Sequence, residues 1–594
     1  MELKNRNEMN PQFTWDLSPI FADTAAWEAA YAEASALVEE IPTLKGTLGN
    51  SKENLKTALD KIALTSEKVE LCYVYTFLLK SGDNGSAEYQ SLQARGISLY
   101  VKMQTALSFL DPELLSIPEE TLSAWMASDE LALYRFLVEN VTRARPHTLS
   151  EKEETLLAML GDAANIPSDN FDMLESVDMT FPKITDEKGE EVTLTHGNFG
   201  VYRESKDRRV RKDAFEAYFG EFKKYIHTFT SMYTGSVKFD TFFADARKHE
   251  SACHAALFGG NVPVSVYDSL IAAVHDAFPA MKRYIELRKK VLGLDEIHMY
   301  DLYSPLVESV DYPMPYADAK ELVKKALLPL GEEYQTLLDK AYSEKWIDVY
   351  ENKGKTTGAY SCGVYGVHPY VLLNYTDTLD DAFTLAHELG HAMHSYFSAR
   401  EQEYINADYR ILVAEVASTV NEVLLTKYLL ATETDPARRA YILNHFLEGF
   451  RTTLFRQTLF AEFERKAHDL HKAGTPLTAE LLNEVYHDLN AAYYQGAVVD
   501  ELQDIEWARI PHFYRAFYVY QYATGFSSAV AIAESILSTG DASNYLRFLS
   551  TGGSDYPLEE LKIAGVDLTK PETVSNALKV FDSAIGELEE LLLK

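Results

Sequence analysis

Residues 378–397 read TLDDAFTLAHELGHAMHSYF, and the fold follows from how this stretch is read. Thr378 and Asp381 give a Thr-x-x-Asp helix start, a variant of the capping box. Leu379, Phe383, Ala386, Leu389, Ala392, Met393, Tyr396 and Phe397 give the helix broad apolar faces, so it is largely buried. Inside it lies His387-Glu388-Leu389-Gly390-His391, an H-E-x-x-H sequence. Spacing of four residues stacks the two imidazoles one turn apart on one face, where both can grip one zinc ion. Glu388, next to the first histidine, can then take a proton from a water at the metal. Two solvated histidines on an exposed helix would be the bland alternative, but polar side chains inside a core need partners.

Two histidines do not complete a zinc site, which wants a third protein ligand and an open position. The metzincin pattern fails, because His394 stands at its glycine position and Phe397 at its histidine position. The inverted H-x-x-E-H order is also absent. The next long segment, Tyr409 to Ala431, reads YRILVAEVASTVNEVLLTKYLLA and is apolar on most sides. Glu415 and Glu422 lie within it, seven residues apart and roughly 10 Å apart along a helix axis, too far for both to bind one ion. A buried carboxylate needs a cation, either a metal or a basic side chain. Chemistry leaves both glutamates open and leans to the earlier. His394 reads as core or as support behind the metal ligands.

Upstream, Tyr370-Val371-Leu372-Leu373-Asn374-Tyr375 has strand composition and follows Gly358, Gly363 and Gly366. An open edge on that strand could hold an extended peptide near the metal; an ordinary hairpin is the plainer reading. Downstream, 512–525 reads HFYRAFYVYQYATG. Tyr514, Tyr518 and Tyr522 recur every four residues and would form one helical stripe. Such stripes usually pack, but Tyr or His can also donate to a developing oxyanion. Gly525 could let the segment flex.

The segments HELGHAMHSYF and VAEVASTVNE resemble the thimet-oligopeptidase-like zinc peptidases, and more closely their bacterial oligoendopeptidase F branch. The resemblance extends to FTWDLSPIF at 13–21, GAYSCGVYGVHPYVLLNY at 358–375, HFYRAFYVYQYATG, and STGGSDYPLEELKIAGVDL at 550–568. It implies that Glu415 is the third zinc ligand and that Glu422 stands behind the ligands. It implies substrate-facing roles for His512 and, with a one-residue shift, for Tyr518 and Tyr522. It also implies a mainly α, two-lobed zincin in which helices enclose a deep channel, with a small β element beside the site. The implied activity is hydrolysis of internal bonds in short unstructured peptides, with one zinc per chain. Two rivals are a zinc carboxypeptidase on a similar scaffold, and a non-catalytic peptide-binding protein with a structural metal. The latter has no use for Glu388.

The chain has 594 residues and a net charge of -34. That argues against nucleic acid or anionic membrane as partner; oligomeric state is not legible. Cys72, Cys253 and Cys362 are odd in number and far apart, so no disulfide framework is expected and a reducing cytoplasm fits. MELKNRNEMNPQF lacks the apolar core of a signal peptide, and no apolar run approaches a membrane span. Residues 20–165 read as successive helices. MTFPKIT and EVTLTHG flank a turn at Asp186–Glu190 and predict a hairpin. The expected organisation is an N-terminal helical region at 1–112, a second one ending in the hairpin at 113–203, and a catalytic region at 204–594.

Overall fold

The computed structural model describes residues 3–307 and 312–593 and is mainly helical, with three small sheets among the described residues. The chain divides into two compact units, each made of three segments.

The first unit comprises Met1–Arg145, Tyr312–Tyr428 and Ile532–Val566. Its N-terminal helices Thr24–Glu40, Lys52–Gly82 and Ala87–Ala106 each begin at a side chain that accepts a backbone N–H: Asp23, Ser51 and Ser86. Gly96 lets the second and third approach closely, since a Cβ there would lie 2.7 Å from the Thr76 hydroxyl. Leu55, Leu59, Ile62, Val69, Leu99 and Met103 fill their interface.

Beside this bundle, Tyr370–Leu372 pairs parallel with Ile347–Asp348 and antiparallel with Tyr360–Cys362. Tyr370–Leu372 is therefore the middle strand, and the open edge expected of it belongs to Tyr360–Cys362. A strand of two residues, Ile347–Asp348, carries too little alternation to be seen in sequence. The opening segment braces this sheet. Val349 N–H donates to the Phe13 carbonyl at 2.9 Å, and Trp15 packs with Val74, Leu78, Tyr370 and Leu372. The edge strand packs on the helix Leu379–Glu401, where a Cβ at Gly363 would meet Ser395 at 2.9 Å.

The second unit comprises Pro146–Asp311, Leu429–Ala531 and Asp567–Lys594. The expected hairpin forms from Lys183–Thr185 and Glu191–Thr193, with Gly189 at φ +83° in its turn. Helices Arg208–Lys224, Ile226–Ala246, Arg456–Lys472 and Ala479–Tyr493 follow, around an aromatic core that includes Tyr218, Phe222, Phe229 and Phe463. A π-helical turn at Phe450–Phe455 joins Pro436–Gly449 to Arg456–Lys472. Among the described residues no helix is long and apolar enough to cross a membrane.

Candidate active site

The helix Leu379–Glu401 starts where its cap chemistry says it should. The Thr378 hydroxyl accepts the Asp381 N–H at 3.2 Å, and the Asp381 carboxylate accepts the Thr378 N–H at 3.0 Å. That fixes the register of His387 and His391, two and three turns later. Against this helix lies Ile411–Thr432. The two backbones nearly touch at Gly390, where a Cβ would sit 2.5 Å from Ser418 Cα and 2.6 Å from the Ala417 carbonyl. The Asn421 amide ties them by donating to the Ala386 carbonyl at 2.9 Å, and Tyr334 donates to Asn421 at 3.0 Å.

This close crossing brings the carboxylates of one helix onto the imidazoles of the other. The Nε2 atoms of His387 and His391 are 3.2 Å apart. Glu415 Oε2 lies 3.5 Å from the first and 3.6 Å from the second. His387, His391 and Glu415 thus present three donors within 4.8 Å of one another. Glu422 reaches His387 from the opposite side, in a short contact with Nδ1. A carboxylate there accepts a hydrogen bond from Nδ1–H, which keeps the proton on Nδ1 and leaves the Nε2 lone pair for a cation.

The electrostatics follow from crowding five carboxyl and imidazole groups in a partly dry place. Burial disfavours charge on His387, yet Glu422, with Glu388 and Glu415 adding to it, raises its pKa to about 9 in the metal-free chain. The His391 hydrogen bond holds Glu415 below the ordinary carboxylate range. Glu388 is 7% exposed; burial pushes its carboxyl up, and His387 and His391 pull it back in part. A base with a raised pKa is better matched to proton transfer near neutrality than a free glutamate.

His394 is core. Its ring stacks on Tyr409 at 3.7 Å, both nitrogens are buried without partners among the described residues, and burial lowers its pKa to about 3. The tyrosines do not form one stripe. Pro511–Tyr514 is a 3-10 turn, Phe517 sits at φ +57°, and the helix begins only at Tyr520. Tyr514 packs instead against Phe171, the rings tilted by 37° with centres 4.8 Å apart. His512, Tyr518 and Tyr522 cluster instead, with ring centres 5.5–6.2 Å apart and the Tyr522 hydroxyl 3.5 Å from His512 Nε2. Gly525 lies inside the helix Tyr520–Thr539.

Sequence reasoning missed Gly390, Asn421 and Tyr334. The small residues Ala417 and Ser418, facing a glycine between the histidines, were the available signal for a close crossing. It also missed Glu464, whose carboxyl accepts the Phe517 N–H at 3.0 Å.

A helix carrying H-E-x-x-H, crossed at contact distance by a helix that presents a glutamate, defines a metallohydrolase. Comparison with known proteins narrows this. The model of peptidase family M3 matches residues 201–580, and an oligopeptidase F model matches residues 113–181. Oligopeptidase PepF of Bacillus subtilis is 45% identical over 597 residues, covering 100% of this chain and 89% of its own. The crystal structure of oligoendopeptidase-F from Enterococcus faecium superposes with a TM-score of 0.74 at 38% identity, covering 95% of this chain and 98% of that one. A Chlamydophila abortus protein of solved structure reaches a TM-score of 0.94 at 35% identity, over 99% and 100% of the two chains. The chain belongs to peptidase family M3, in its oligopeptidase F group, and is a metalloendopeptidase.

Proposed function

We propose that His387, His391 and Glu415 hold one zinc ion per chain, with Glu388 as general base in the hydrolysis of internal bonds of short unstructured peptides. The observation that carries this reading is the convergence of the three donors. Zinc bonded tetrahedrally to two imidazoles at about 2.0–2.1 Å needs its nitrogens about 3.3 Å apart, and the two Nε2 atoms stand 3.2 Å apart. When bound, zinc supplies a Lewis acid that acidifies water and polarises a carbonyl.

The chain's own residues do the rest. Glu388 takes the proton of the attacking water and passes it to the leaving amine. Glu422 fixes the tautomer of His387. His512, Tyr518 and Tyr522 serve as donors to the substrate oxyanion; their support is the family resemblance and the fact that they form a single cluster. Residues 204–594 carry this chemistry, with 1–112 and 113–203 as N-terminal regions; the extents of the two family models support that division. Peptides, rather than nucleic acid or a membrane, are the partners, and the site of action is cytoplasmic. A net charge of -34 and three unpaired cysteines support this.

The test is Glu388→Gln on internally quenched peptides with blocked ends. The parent cleaves them, loses activity to a chelator and regains it with zinc. The variant retains zinc by elemental analysis and loses about 10²–10⁴-fold in kcat. Cleavage at the parental rate by the variant removes Glu388 from the mechanism.

A further inference from the structure

The motif STGGSDY at 550–556 has no part in the chemistry above, yet it grips the chain between the two helices that carry the ligands. That connection runs from Gln402, the C-cap of Leu379–Glu401, to Ile411, where the next helix begins. Glu415 stands four residues further on, about one helical turn. The short turn Tyr404–Ala407 within the connection has no buried residue, so burial in a core does not hold it. Its hold comes from ties to neighbours. Tyr404 donates to the Glu70 carboxylate at 2.6 Å, and the Asn406 amide to the Leu133 carbonyl at 3.3 Å. The stretch Asn406–Asp408, just before the Glu415 helix, is met by Ser398 and by the motif.

Two glycines make the grip. Gly553 N–H donates to the Asn406 carbonyl at 2.9 Å, and the Gln402 amide donates to the Ser550 carbonyl at 2.8 Å. Gly552 sits at φ +55°, and a Cβ there would lie 2.5 Å from the Ser398 hydroxyl and nearer still to the Asn406 carbonyl oxygen. Gly553 is the more telling of the two. It is not among the positive-φ glycines, so its own backbone does not call for glycine. A Cβ on it would overlap the Asp408 carbonyl oxygen, and this close approach is what requires glycine there. From the other side, the Ser398 hydroxyl, on the helix of His387 and His391, donates to the Ala407 carbonyl. The helix Ser543–Leu549, just before the motif, meets both ligand-bearing helices. Phe548 packs on His394 with ring centres 5.3 Å apart, and the Tyr545 hydroxyl lies 3.5 Å from the Ala417 carbonyl.

We propose that Gly552 and Gly553 are positioning residues for the metal site. Their clasp on Asn406–Asp408 sets where the Glu415 helix starts, and so where Glu415 stands against His387 and His391. The inference rests on those three residues as the ligand set. The crossing at Gly390 sets how closely the two helices pack, and Asn421 ties them beyond Glu415. The clasp anchors the end before Glu415, which leaves its carboxylate between two fixed points. A methyl on Gly553 has to push the Asp408 carbonyl away by about 1 Å to reach ordinary contact distance. Misplacement on that scale is enough to cost about 10²-fold at a site whose groups must converge.

The experiment compares the full-length parent with Gly553→Ala and Gly96→Ala. Gly96 is another tightly approached glycine of the same unit, in the N-terminal bundle, where a Cβ meets the Thr76 hydroxyl rather than the connection. Zinc affinity is read by competition with a chromophoric chelator, and site geometry by the visible absorption of the cobalt-substituted protein. Gly553→Ala is expected to bind zinc about 10–100-fold more weakly. Its cobalt band shifts and loses intensity, and at saturating zinc kcat falls while KM changes little. Gly96→Ala lowers the Tm but keeps the parental affinity and band. Where Gly553→Ala does not fold, Ser398→Ala takes its place. It removes the donor to Ala407 and adds no atom, and it should weaken zinc binding several-fold with the same band shift. Parental affinity and cobalt band in Gly553→Ala, or in Ser398→Ala where that variant stands in, overturn the proposal. Equal weakening in Gly96→Ala overturns it too, because the cause would then be lost stability. A parent that binds no zinc, or that keeps it in Glu415→Ala, defeats the ligand set itself and the clasp with it.

Discussion

Glu415 and Glu422 sit on one helix, yet they meet the same histidine through different nitrogens. Glu415 faces Nε2 of His387 and of His391, while Glu422 faces only Nδ1 of His387. The first position can share an ion; the second can only orient the ring. Glu415→Ala is therefore expected to lose metal outright on dialysis against a weak chelator. Glu422→Ala should retain metal with affinity weakened about 10–100-fold. Competition with a chromophoric chelator measures both, and the opposite order would exchange their roles. Glu560 poses a different problem at the same scale. It is 1% exposed and no side chain among the described residues hydrogen-bonds its carboxyl, so burial, only partly offset by the Asp555 backbone N–H, raises its pKa to about 8. The folded chain then keeps a proton that the unfolded chain releases near pH 4.5, so stability falls as pH rises from there to about 8 and stays low above it. Glu560→Gln keeps the shape without the titration. It should melt higher than the parent at pH 8, by about 1–3 kcal/mol of stability, and the gap should close toward pH 4.5.

Elements were legible where their signals are local. The helix bearing His387 declared itself by its cap and by apolar residues on most faces, and the hairpin at 183–193 by a glycine turn between alternating runs. Glu415 and Glu422 stood out because buried carboxylates demand partners. What was not legible depends on contacts between distant residues. Tyr370–Leu372 became a middle strand only because Ile347–Asp348 arrives from elsewhere. The tyrosines of 514–522 keep helical spacing, but the chain breaks at Phe517, a bulky residue at φ +57°. What holds it there is Glu464, from the helix Arg456–Lys472, whose carboxyl receives the Phe517 N–H, while the His468 ring packs on Phe517 at 4.7 Å. That conformation is also what releases Tyr518 from the stripe and lets it meet His512. Glu464→Leu leaves the Phe517 N–H without an acceptor and should loosen the His512–Tyr518–Tyr522 cluster. We expect kcat/KM to fall about tenfold or more with metal content unchanged. Burial pushes the Glu464 carboxyl up, toward its neutral form, so Glu464→Gln, which keeps the carbonyl acceptor, should restore most of the rate. Equal damage from both substitutions would mean that the contact does not position the cluster.

At the scale of the molecule, where the chemistry resides and what must fold together are different questions. Residues 204–594 contain every group proposed to act, but the first unit draws on Met1–Arg145 as well as Tyr312–Tyr428 and Ile532–Val566. Its small sheet shows the dependence. Asp348 is 0% exposed in the strand beside Tyr370–Leu372. It is neutralised by Lys355 at 2.7 Å and by Arg6, and it accepts the Trp15 N–H at 3.3 Å. Trp15, Val74 and Leu78 cover Tyr370 and Leu372. A chain lacking 1–203 would strip those three side chains from the sheet, at about 1.5–3 kcal/mol for each large apolar group exposed. It would also remove two of the donors to a buried carboxylate, a loss of similar size. The total approaches the whole stability of an ordinary domain. The fragment 204–594 expressed alone should therefore retain helical far-ultraviolet dichroism, bind ANS and lack a cooperative melting transition. It should not retain zinc, because the sheet's edge strand, Tyr360–Cys362, packs on the helix that carries His387 and His391. Co-expression with residues 1–203 should restore both the transition and the metal. A fragment that melts cooperatively with zinc bound would mean that the N-terminal segments decorate the catalytic region rather than complete its core.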